Sequence, residues 1–360
     1  MNRNSETEKL KSCLPLVIQW YAECGRPLPW RQEPSPYHVW LSEIMLQQTR
    51  IEAVIPYYRR FLREFPTVEA LAGAEDERLM KLWEGLGYYS RARNLKKAAA
   101  LLTERYGGAL PQKAEELKKL PGIGDYTAGA IASIAYGQPE PAVDGNVLRV
   151  MTRLLADDGD IMQADTKKRI TALLRQSYPS GKDAALLTEG LMELGETLCI
   201  PKGVPDCAQC PLREHCLAHQ SGREEQFPVK TPPKARRAEE RTVFLLCNKG
   251  RYTIRRRPER GLLAGLWEFP NCEGILSAEE AAARAESQGL TVTACAPCAA
   301  HTHVFTHVEW HMEAYLLNCA GEGGGFLWKS PEEIARDYSL PTAFRFCLNL
   351  ISGANKGGRA

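Results

Sequence analysis

The stretch LPGIGDYTAGAIASIAYGQPEPAVDGNVLRV, residues 120–150, decides the fold of the first half of the chain. Residues 113–120 have the pattern of an amphipathic helix end, and a tight reversal at Gly122 and Gly124 leads into a second helix over 127–136. The two glycines let a partner approach closely beside the free N–H groups of a helix N-terminus, a surface that suits phosphate. The pattern predicts a helix-hairpin-helix.

A lone carboxylate follows this hairpin, at Asp144 in the sequence AVDGNV. Its apolar neighbours and the adjacent Gly145 predict an acid presented from a turn. A phosphate-binding hairpin together with a positioned acid indicates chemistry on nucleic acid. The structural alternative makes the hairpin an ordinary helix corner and Asp144 the N-cap of a helix.

Length and composition indicate a soluble protein of two domains. The chain has 360 residues, of which 44% are hydrophobic and 25% charged. The formal net charge is only +2, so affinity for nucleic acid must come from local basic patches. The N-terminus is polar and no apolar run approaches the length that spans a bilayer, which predicts a cytoplasmic protein without a membrane partner.

Four of the 12 cysteines are clustered within 18 residues. In a reducing compartment a cluster that contains CxxC indicates a metal site rather than disulfides. A tetrahedral zinc or an iron-sulfur cluster would satisfy four thiolates, and the spacing alone does not choose between them. The predicted ligands are Cys199, Cys207, Cys210 and Cys216.

The character of the chain changes after the cysteines. The first 200 residues show helical periodicity throughout, whereas residues 308–317 alternate as a half-buried strand. A hairpin around residues 248–250 and a helix over 277–288 complete an α+β pattern. We predict an all-α domain over residues 1–226, a proline-rich basic linker over 227–240 and an α+β domain over 241–360.

A second acid and a glycine-flanked turn stand out in the helical half. Residues 37–63 predict two helices separated at Pro56, and Glu43 lies there among Leu41, Ile44, Met45 and Leu46. A carboxyl group in apolar surroundings has a raised pKa and can donate a proton near neutrality. The alternative places Glu43 on the solvent side of the helix. The turn at residues 85–89 is predicted to show Leu86, Tyr88 and Tyr89 as a wedge against DNA, or else to be a packed connection.

Six motifs of the chain closely resemble the MutY-type adenine DNA glycosylases. They are WLSEIMLQQTR at 40–50, WEGLGYYSRARNL at 83–95, LPGIGDYTAGAI at 120–131, AVDGNVLRV at 142–150, ELG at 193–195 and the cysteine cluster. The resemblance implies an all-α helix-hairpin-helix glycosylase domain with a [4Fe-4S] cluster, followed by a Nudix-like domain. It also implies a monomeric base-excision-repair enzyme that removes adenine mispaired with 8-oxoguanine or guanine in duplex DNA.

The resemblance also implies roles for individual residues. Glu43 matches the general acid and Asp144 the second carboxylate, with Tyr126 and Asn146 near the sugar. The hairpin glycines would hold a DNA phosphate. Residues that would contact the bases are Trp30, Arg31 and Glu189 at the adenine, Gln48, Leu86 and Tyr88 at the base stack, and Phe305, Thr306 and His307 at 8-oxoguanine.

Three departures from the family pattern bear on these roles. The loop between Cys199 and Cys207 is one residue longer than usual, and Thr306 stands where the family commonly has serine. The Nudix box keeps only Glu286 in register, which leaves too few carboxylates for a catalytic magnesium and disfavours a nucleotide pyrophosphatase.

Three alternatives remain open at the level of sequence. A bifunctional glycosylase/lyase resembling endonuclease III would place its Schiff-base lysine where this chain has Tyr126, which cannot form an imine. A non-enzymatic DNA-binding module would leave Glu43 and Asp144 unexplained. A small zinc site could form from Cys295, Cys298, His301 and His303.

Overall fold

The computed structural model describes residues 3–232 and 235–354 and divides into two compact units. The first unit comprises Met1–Ala74 and Arg93–Pro232, and the second comprises Glu75–Ala92 and Pro233–Ala360. The segment Glu75–Ala92 therefore belongs with the C-terminal residues, a grouping that the linear order of motifs does not reveal. No helix within the described ranges is long and apolar enough to cross a membrane.

Helices make up the first unit, as predicted. They are α1 (Arg3–Cys24), α2 (Pro29–Gln32), α3 (Pro36–Leu46), α4 (Ile51–Glu64), α5 (Val68–Ala72), α7 (Ser90–Tyr106), α8 (Ala114–Leu117), α9 (Asp125–Ala130), α10 (Gly145–Leu155), α11 (Ala164–Arg175), α12 (Lys182–Thr197) and α13 (Leu217–Gln220). The helix between α5 and α7, α6 (Asp76–Trp83), lies in the second unit.

The predicted hairpin is formed by α8 and α9. Gly122 lies between them with φ +81°, in the left-handed region that favours glycine, and an added Cβ would lie 2.8 Å from Cβ of Asn94. The second helix is less regular than predicted, because α9 passes into a π-helical turn at Ile131–Ala135. The reversal therefore depends on glycine at position 122 for two independent reasons.

The predicted break at Pro56 is wrong. Helix α4 runs through Pro56 without interruption, and the chain turns instead between α3 and α4. Gln48 lies in that turn with φ +58°. A proline removes a single N–H donor, whereas a residue of left-handed conformation ends a right-handed helix outright.

The core of the first unit lies among α1, α10, α11 and α12. Buried apolar side chains from all four helices form one cluster, which includes Leu10, Val17, Met151, Leu174 and Leu191. Three of the clustered cysteines, Cys199, Cys210 and Cys216, pack against it. The core thus fixes the ends of α10 and α12 and the cysteine segment relative to one another.

A mixed sheet forms the second unit, which confirms the α+β prediction. Its main path has the order β3-β2-β1-β6-β5, with β1 parallel to β6. The strands are β1 (Arg237–Asn248), β2 (Arg251–Arg256), β3 (Trp267–Glu268), β4 (Asn271–Glu273), β5 (Val292–Val304), β6 (Val308–Cys319) and β7 (Leu327–Lys329). The helices are α14 (Ala278–Glu286), α15 (Pro331–Asp337) and α16 (Arg345–Ala354).

Alternation along β1 gives this sheet a core on each face. Val243 and Leu245 pack towards α15 and α16, while Phe244 and Leu246 pack towards α14. Strand β1 already begins at Arg237, inside the predicted linker 227–240, because eleven of its residues from Arg237 to Cys247 pair with β6. Pro233 and Lys234 of that linker lie outside the described residues.

Candidate active site

A cavity of about 640 Å³ in the first unit brings together most of the predicted site residues of that unit. Helix α3 contributes Glu43, and the turn after it contributes Gln48. The other predicted site residues that line it are Trp30, Arg31, Tyr126, Asp144, Asn146 and Glu189. These positions are spread over more than 150 residues of sequence, and the fold places them around one space.

Glu43 is buried, with 4% of its surface exposed. Its Oε2 accepts a 2.6 Å hydrogen bond from the phenol of Tyr126. Burial raises the pKa of Glu43 to about 7, a rise that the Tyr126 bond opposes and the Asp144 charge supports. The alternative that put Glu43 on the solvent side of its helix is therefore wrong, and the apolar neighbours in the sequence predicted its environment.

Asp144 is both a cavity acid and the N-cap of α10. Its Oδ1 accepts from the Val147 N–H at 2.8 Å, and its Oδ2 accepts from Nδ2 of Asn146 at 3.0 Å. Burial raises the pKa of Asp144, and the Val147 bond opposes that shift. Two donors favour the ionised form at Asp144, whereas the described residues give Glu43 one. Asp144 therefore caps α10 and lines the cavity at the same time.

A network of ion pairs forms another part of the cavity wall. Arg31 donates a 2.8 Å hydrogen bond to Glu193, whose other oxygen accepts from Arg26, and Nε of Arg31 lies 3.6 Å from Glu189. Burial raises the pKa of Glu189, while Arg31 opposes the rise. Burial also acts to raise the pKa of Glu193, but Arg26 and Arg31 hold it below its ordinary value. Of these two carboxyl groups, Glu189 therefore has the higher pKa, and it lies beside the guanidinium of Arg31.

Sequence reasoning assigned no role to Met192, Glu193 or Glu196, although all three line the cavity. They follow Glu189 at three, four and seven positions along α12, so they share one face of that helix. The spacing of Glu189, Glu193 and Glu196 places three carboxyl groups on one face of α12, and the sequence alone could have revealed this.

Asn146 links the cavity to the backbone of the cysteine segment. Its Oδ1 accepts from Arg149 at 2.8 Å, and Nε of Arg149 donates to the Cys199 carbonyl at 2.7 Å. Arg149 is buried and also donates to the Gly195 carbonyl. Nothing in the sequence pattern distinguished this arginine from a surface cation.

The four clustered cysteines converge in space. They line one small cavity together with Arg153, which donates a 3.2 Å hydrogen bond to Sγ of Cys199. Burial, with a smaller contribution from the three other thiols, raises the pKa of Cys210 to about 12. Among the described residues, no three of these sulfur atoms lie within 4.8 Å of one another. A single tetrahedral zinc would hold its sulfurs about 3.8 Å apart, closer than any three of these thiols lie.

Comparisons with known proteins bear on the identity of this arrangement. Residues 41–179 match the family described as "HhH-GPD superfamily base excision DNA repair protein", and residues 242–350 match "NUDIX domain". The chain is 33% identical to the adenine DNA glycosylase of Homo sapiens, with 95% of this chain and 74% of that protein aligned. It is 30% identical to the adenine DNA glycosylase of Buchnera aphidicola from Acyrthosiphon pisum, covering 84% of this chain and 85% of that protein.

The chain belongs to the MutY-type adenine DNA glycosylases. Among solved structures, a thermostable thymine-DNA glycosylase is similar to this glycosylase with a TM-score of 0.53 and 25% identity, over 59% of this chain and 98% of that one. That match supports the helical fold of the first unit. The fold class predicted from the sequence, a helical glycosylase domain followed by a Nudix-like domain, is confirmed.

In the second unit of this glycosylase, two predicted contact residues meet directly. The hydroxyls of Tyr88 and Thr306 are 2.7 Å apart. Tyr88 has φ +46° and is 46% exposed, and Thr306 and His307 are exposed in the turn between β5 and β6. Phe305 instead packs its ring against Trp310 at 4.9 Å, which anchors the turn. The structure therefore presents two of the three turn residues, with Tyr88 beside them.

The predicted wedge of three side chains at residues 85–89 is wrong in extent. Leu86 and Tyr89 are each 6% exposed, so Tyr88 alone is presented. The guanidinium of Arg91 donates to the carbonyls of Leu86 and Gly87 and holds the turn closed. Aromatic and aliphatic side chains beside glycines can be buried when an arginine donates hydrogen bonds to the carbonyl groups of the turn.

The proposed zinc alternative at the β5 strand does not assemble. Among the described residues, its two cysteines and two histidines form no group with ligand atoms within 4.8 Å. His301 stacks on Phe346 at 4.7 Å, and His303 packs edge-on against Phe305. The rings are used in packing.

Proposed function

We propose that this glycosylase hydrolyses the N-glycosidic bond of adenine mispaired with 8-oxoguanine, or with guanine, in duplex DNA. The observation that carries the proposal is the pair of acids on one cavity, Glu43 with a pKa of about 7 and Asp144 with two hydrogen-bond donors. One acid can give a proton while the other stays ionised, which is the division that glycoside hydrolysis requires. The target adenine must leave the base stack to reach them.

Glu43 is the proton donor in this account. Adenine is a poor leaving group as an anion, so transfer of the Glu43 proton to N7 lets the bond between N9 and C1′ break with its electrons on the base. The Tyr126 bond fixes the carboxyl rotamer inside the cavity. Tyr126 therefore positions the acid and limits how far burial raises its pKa.

Asp144 stabilises the sugar. Departure of adenine leaves positive charge on C1′, and an ionised carboxylate nearby lowers the energy of that oxocarbenium-like state. Asn146 donates to Oδ2 of Asp144 and is itself held by Arg149. Water then adds to C1′, and its proton passes to the Glu43 carboxylate that the first step left, which completes hydrolysis.

The adenine would lie against Trp30, Arg31 and Glu189. Trp30 is buried and packs edge-on against Tyr58, so the indole is held in one orientation. Arg31 and Glu189 offer a donor and an acceptor side by side, as hydrogen bonding to a purine edge requires. Gln48, which lines the cavity with a left-handed backbone, would enter the base stack, and Gly122 and Gly124 would receive a DNA phosphate.

A monofunctional reaction is favoured over a lyase. The position at which the alternative needs a lysine is Tyr126, whose hydroxyl is engaged with Glu43. No lysine lines the cavity in the part of the chain that the structure describes. An imine with the sugar needs an amine within reach, so hydrolysis is the expected outcome.

Recognition of 8-oxoguanine is assigned to the exposed turn with Thr306 and His307, with Tyr88 beside it. 8-Oxoguanine has a protonated N7 that guanine lacks, and a hydroxyl can accept from it. The bond to Tyr88 orients the Thr306 hydroxyl. The added methyl group of threonine, compared with serine, leaves that acceptor in place.

The four cysteines would hold a [4Fe-4S] cluster, which when bound supplies a structural cross-link between the end of α12 and the segment beyond it. Arg153 donates to Cys199 and to the carbonyls of Glu224 and Phe227, so it joins this segment to α10. The protein is further proposed to act as a cytoplasmic monomer on chromosomal DNA.

A single-turnover assay tests the proposed function. The substrates are duplexes with adenine opposite 8-oxoguanine, guanine or thymine, and the product is measured after alkali. Excision in the first two and none opposite thymine supports the proposal. Duplex binding without base release from any of them would make the protein a DNA-binding module.

A further inference from the structure

A second cavity, of about 900 Å³, lies in the second unit and is lined by four arginines. Its walls come from β1, β2, β4 and one face of α14, the face that carries Glu280, Ala283 and Arg284. We call it the arginine cleft, after its lining residues Arg241, Arg255, Arg257 and Arg284. It shares no residue with the cavity that Glu43 and Asp144 line.

Arginines outnumber carboxylates among the residues that line the cleft, four to three. Arg255 donates a 2.9 Å hydrogen bond to Glu268, and Arg257 bonds the other oxygen of the same carboxylate, which is 2% exposed. Arg241 bonds the amide oxygen of Asn271 at 2.8 Å. Two guanidiniums thus share one buried carboxylate, and the third is bonded to a neutral amide.

The remaining acids do not balance this charge closely. Glu239 and Glu273 lie 3.6 and 3.8 Å from Arg241, and Glu273 is 85% exposed. Glu280 accepts from the Ser277 N–H in the capping box of α14. Within the described ranges the buried Nε of Arg241 has no acceptor. A buried cationic donor without an acceptor is costly, and an anion in the cleft would relieve that cost.

Arg284 faces the same space from the helix. It is exposed, and in residues 3–232 and 235–354 it makes no side-chain hydrogen bond or ion pair. The Cys272 thiol and the guanidiniums of Arg241 and Arg255 line the same cavity as Arg284.

We propose that the arginine cleft binds a phosphate group directly, without a divalent metal. A guanidinium presents a planar fork of donors that matches phosphate oxygens, and several forks around one cavity hold them from different sides. The acids of the cleft are occupied, Glu268 by two arginines and Glu280 by the helix cap, so a metal has no free pair of carboxylates there. The phosphate is that of a free nucleotide or of the DNA backbone.

Calorimetric titration of the full chain with pyrophosphate, in buffer free of divalent metal, tests the proposal. Arg284→Gln removes one exposed cation and should weaken binding about tenfold, the effect of one lost charge-assisted hydrogen bond. Arg336→Gln is the matched control, because Arg336 is also exposed, lies on α15 and pairs with its neighbour Asp337. It should leave the affinity unchanged.

Competition distinguishes the two sources of phosphate. Displacement of pyrophosphate by dGTP but not by undamaged duplex assigns the cleft to free nucleotides. Displacement by duplex, with a salt dependence of DNA binding that falls by about one ion in Arg284→Gln, assigns it to the DNA backbone. The proposal is overturned if neither pyrophosphate nor duplex binding changes more in Arg284→Gln than in Arg336→Gln.

Discussion

The phenol of Tyr126 and the carboxyl of Glu43 form a 2.6 Å hydrogen bond on a cavity that Asp144 also lines. Burial raises the pKa of Glu43 and the phenol lowers it, with a result of about 7. A carboxyl group with this pKa is protonated in about half of the molecules at neutral pH. The bond therefore lowers the pKa of Glu43 as well as fixing the position of its carboxyl group.

The pH dependence of excision should report this balance. Because Glu43 must be protonated to act, the single-turnover rate should fall as pH rises through about 7. Tyr126→Phe removes the interaction that lowers the pKa of Glu43, so the alkaline limb should move to higher pH. Tyr136→Phe is the matched control, since it loses one phenol bond to the Leu110 carbonyl away from the cavity. A limb unmoved or moved to lower pH in Tyr126→Phe would contradict this account.

The product should be an intact abasic strand. Tyr126 offers no amine, so strand breakage should require alkali or heat, and borohydride should trap little covalent complex. The measurement is a denaturing gel of a single-turnover reaction with and without alkali. Efficient strand cleavage without treatment would favour the bifunctional alternative.

Preference for 8-oxoguanine should depend in part on Thr306. Thr306→Val keeps the shape and removes the hydroxyl, so the ratio of excision opposite 8-oxoguanine to excision opposite guanine should fall about two- to tenfold, the worth of one hydrogen bond. Tyr88→Phe, which frees Thr306 from its 2.7 Å partner, should reduce the ratio less.

Thr302→Val on β5 is the control for Thr306→Val and Tyr88→Phe. Its hydroxyl is also exposed and lies 3.3 Å from His311, but it stands outside the turn. The ratio should not change. An unchanged ratio in Thr306→Val as well would remove this residue from the recognition of 8-oxoguanine.

Metal analysis should find iron and sulfide, about four of each per chain. Cys210→Ser should lose them, because it removes one of the four thiols that line the same small cavity. Cys298→Ser, an exposed cysteine on β5, should keep them. Zinc in place of iron in the unmodified protein would contradict the cluster assignment.

Local sequence patterns predicted the features that depend on neighbours along the chain. The apolar residues around Glu43 predicted its burial and raised pKa, and the glycines predicted the hairpin. The break predicted at Pro56 was wrong because a helix tolerates one missing N–H more readily than a left-handed residue such as Gln48.

Pairings between distant residues could not be predicted in the same way. Tyr88 and Thr306 are 218 positions apart, and their contact depends on the assignment of Glu75–Ala92 to the second unit. The wall formed by Arg26 and Glu193 likewise joins residues 167 positions apart. Such contacts follow from the packing of whole elements, which no short window of sequence contains.

Single-turnover excision by Glu43→Gln tests the central claim most directly. The amide fills the same space but has no proton of suitable acidity, so the rate on adenine opposite 8-oxoguanine should fall by about two to four orders of magnitude. Affinity for the same duplex should be retained, because Glu43 is buried in the cavity wall rather than on the surface. A rate near that of the unmodified protein, with duplex binding intact, would contradict the assignment of Glu43 as the proton donor.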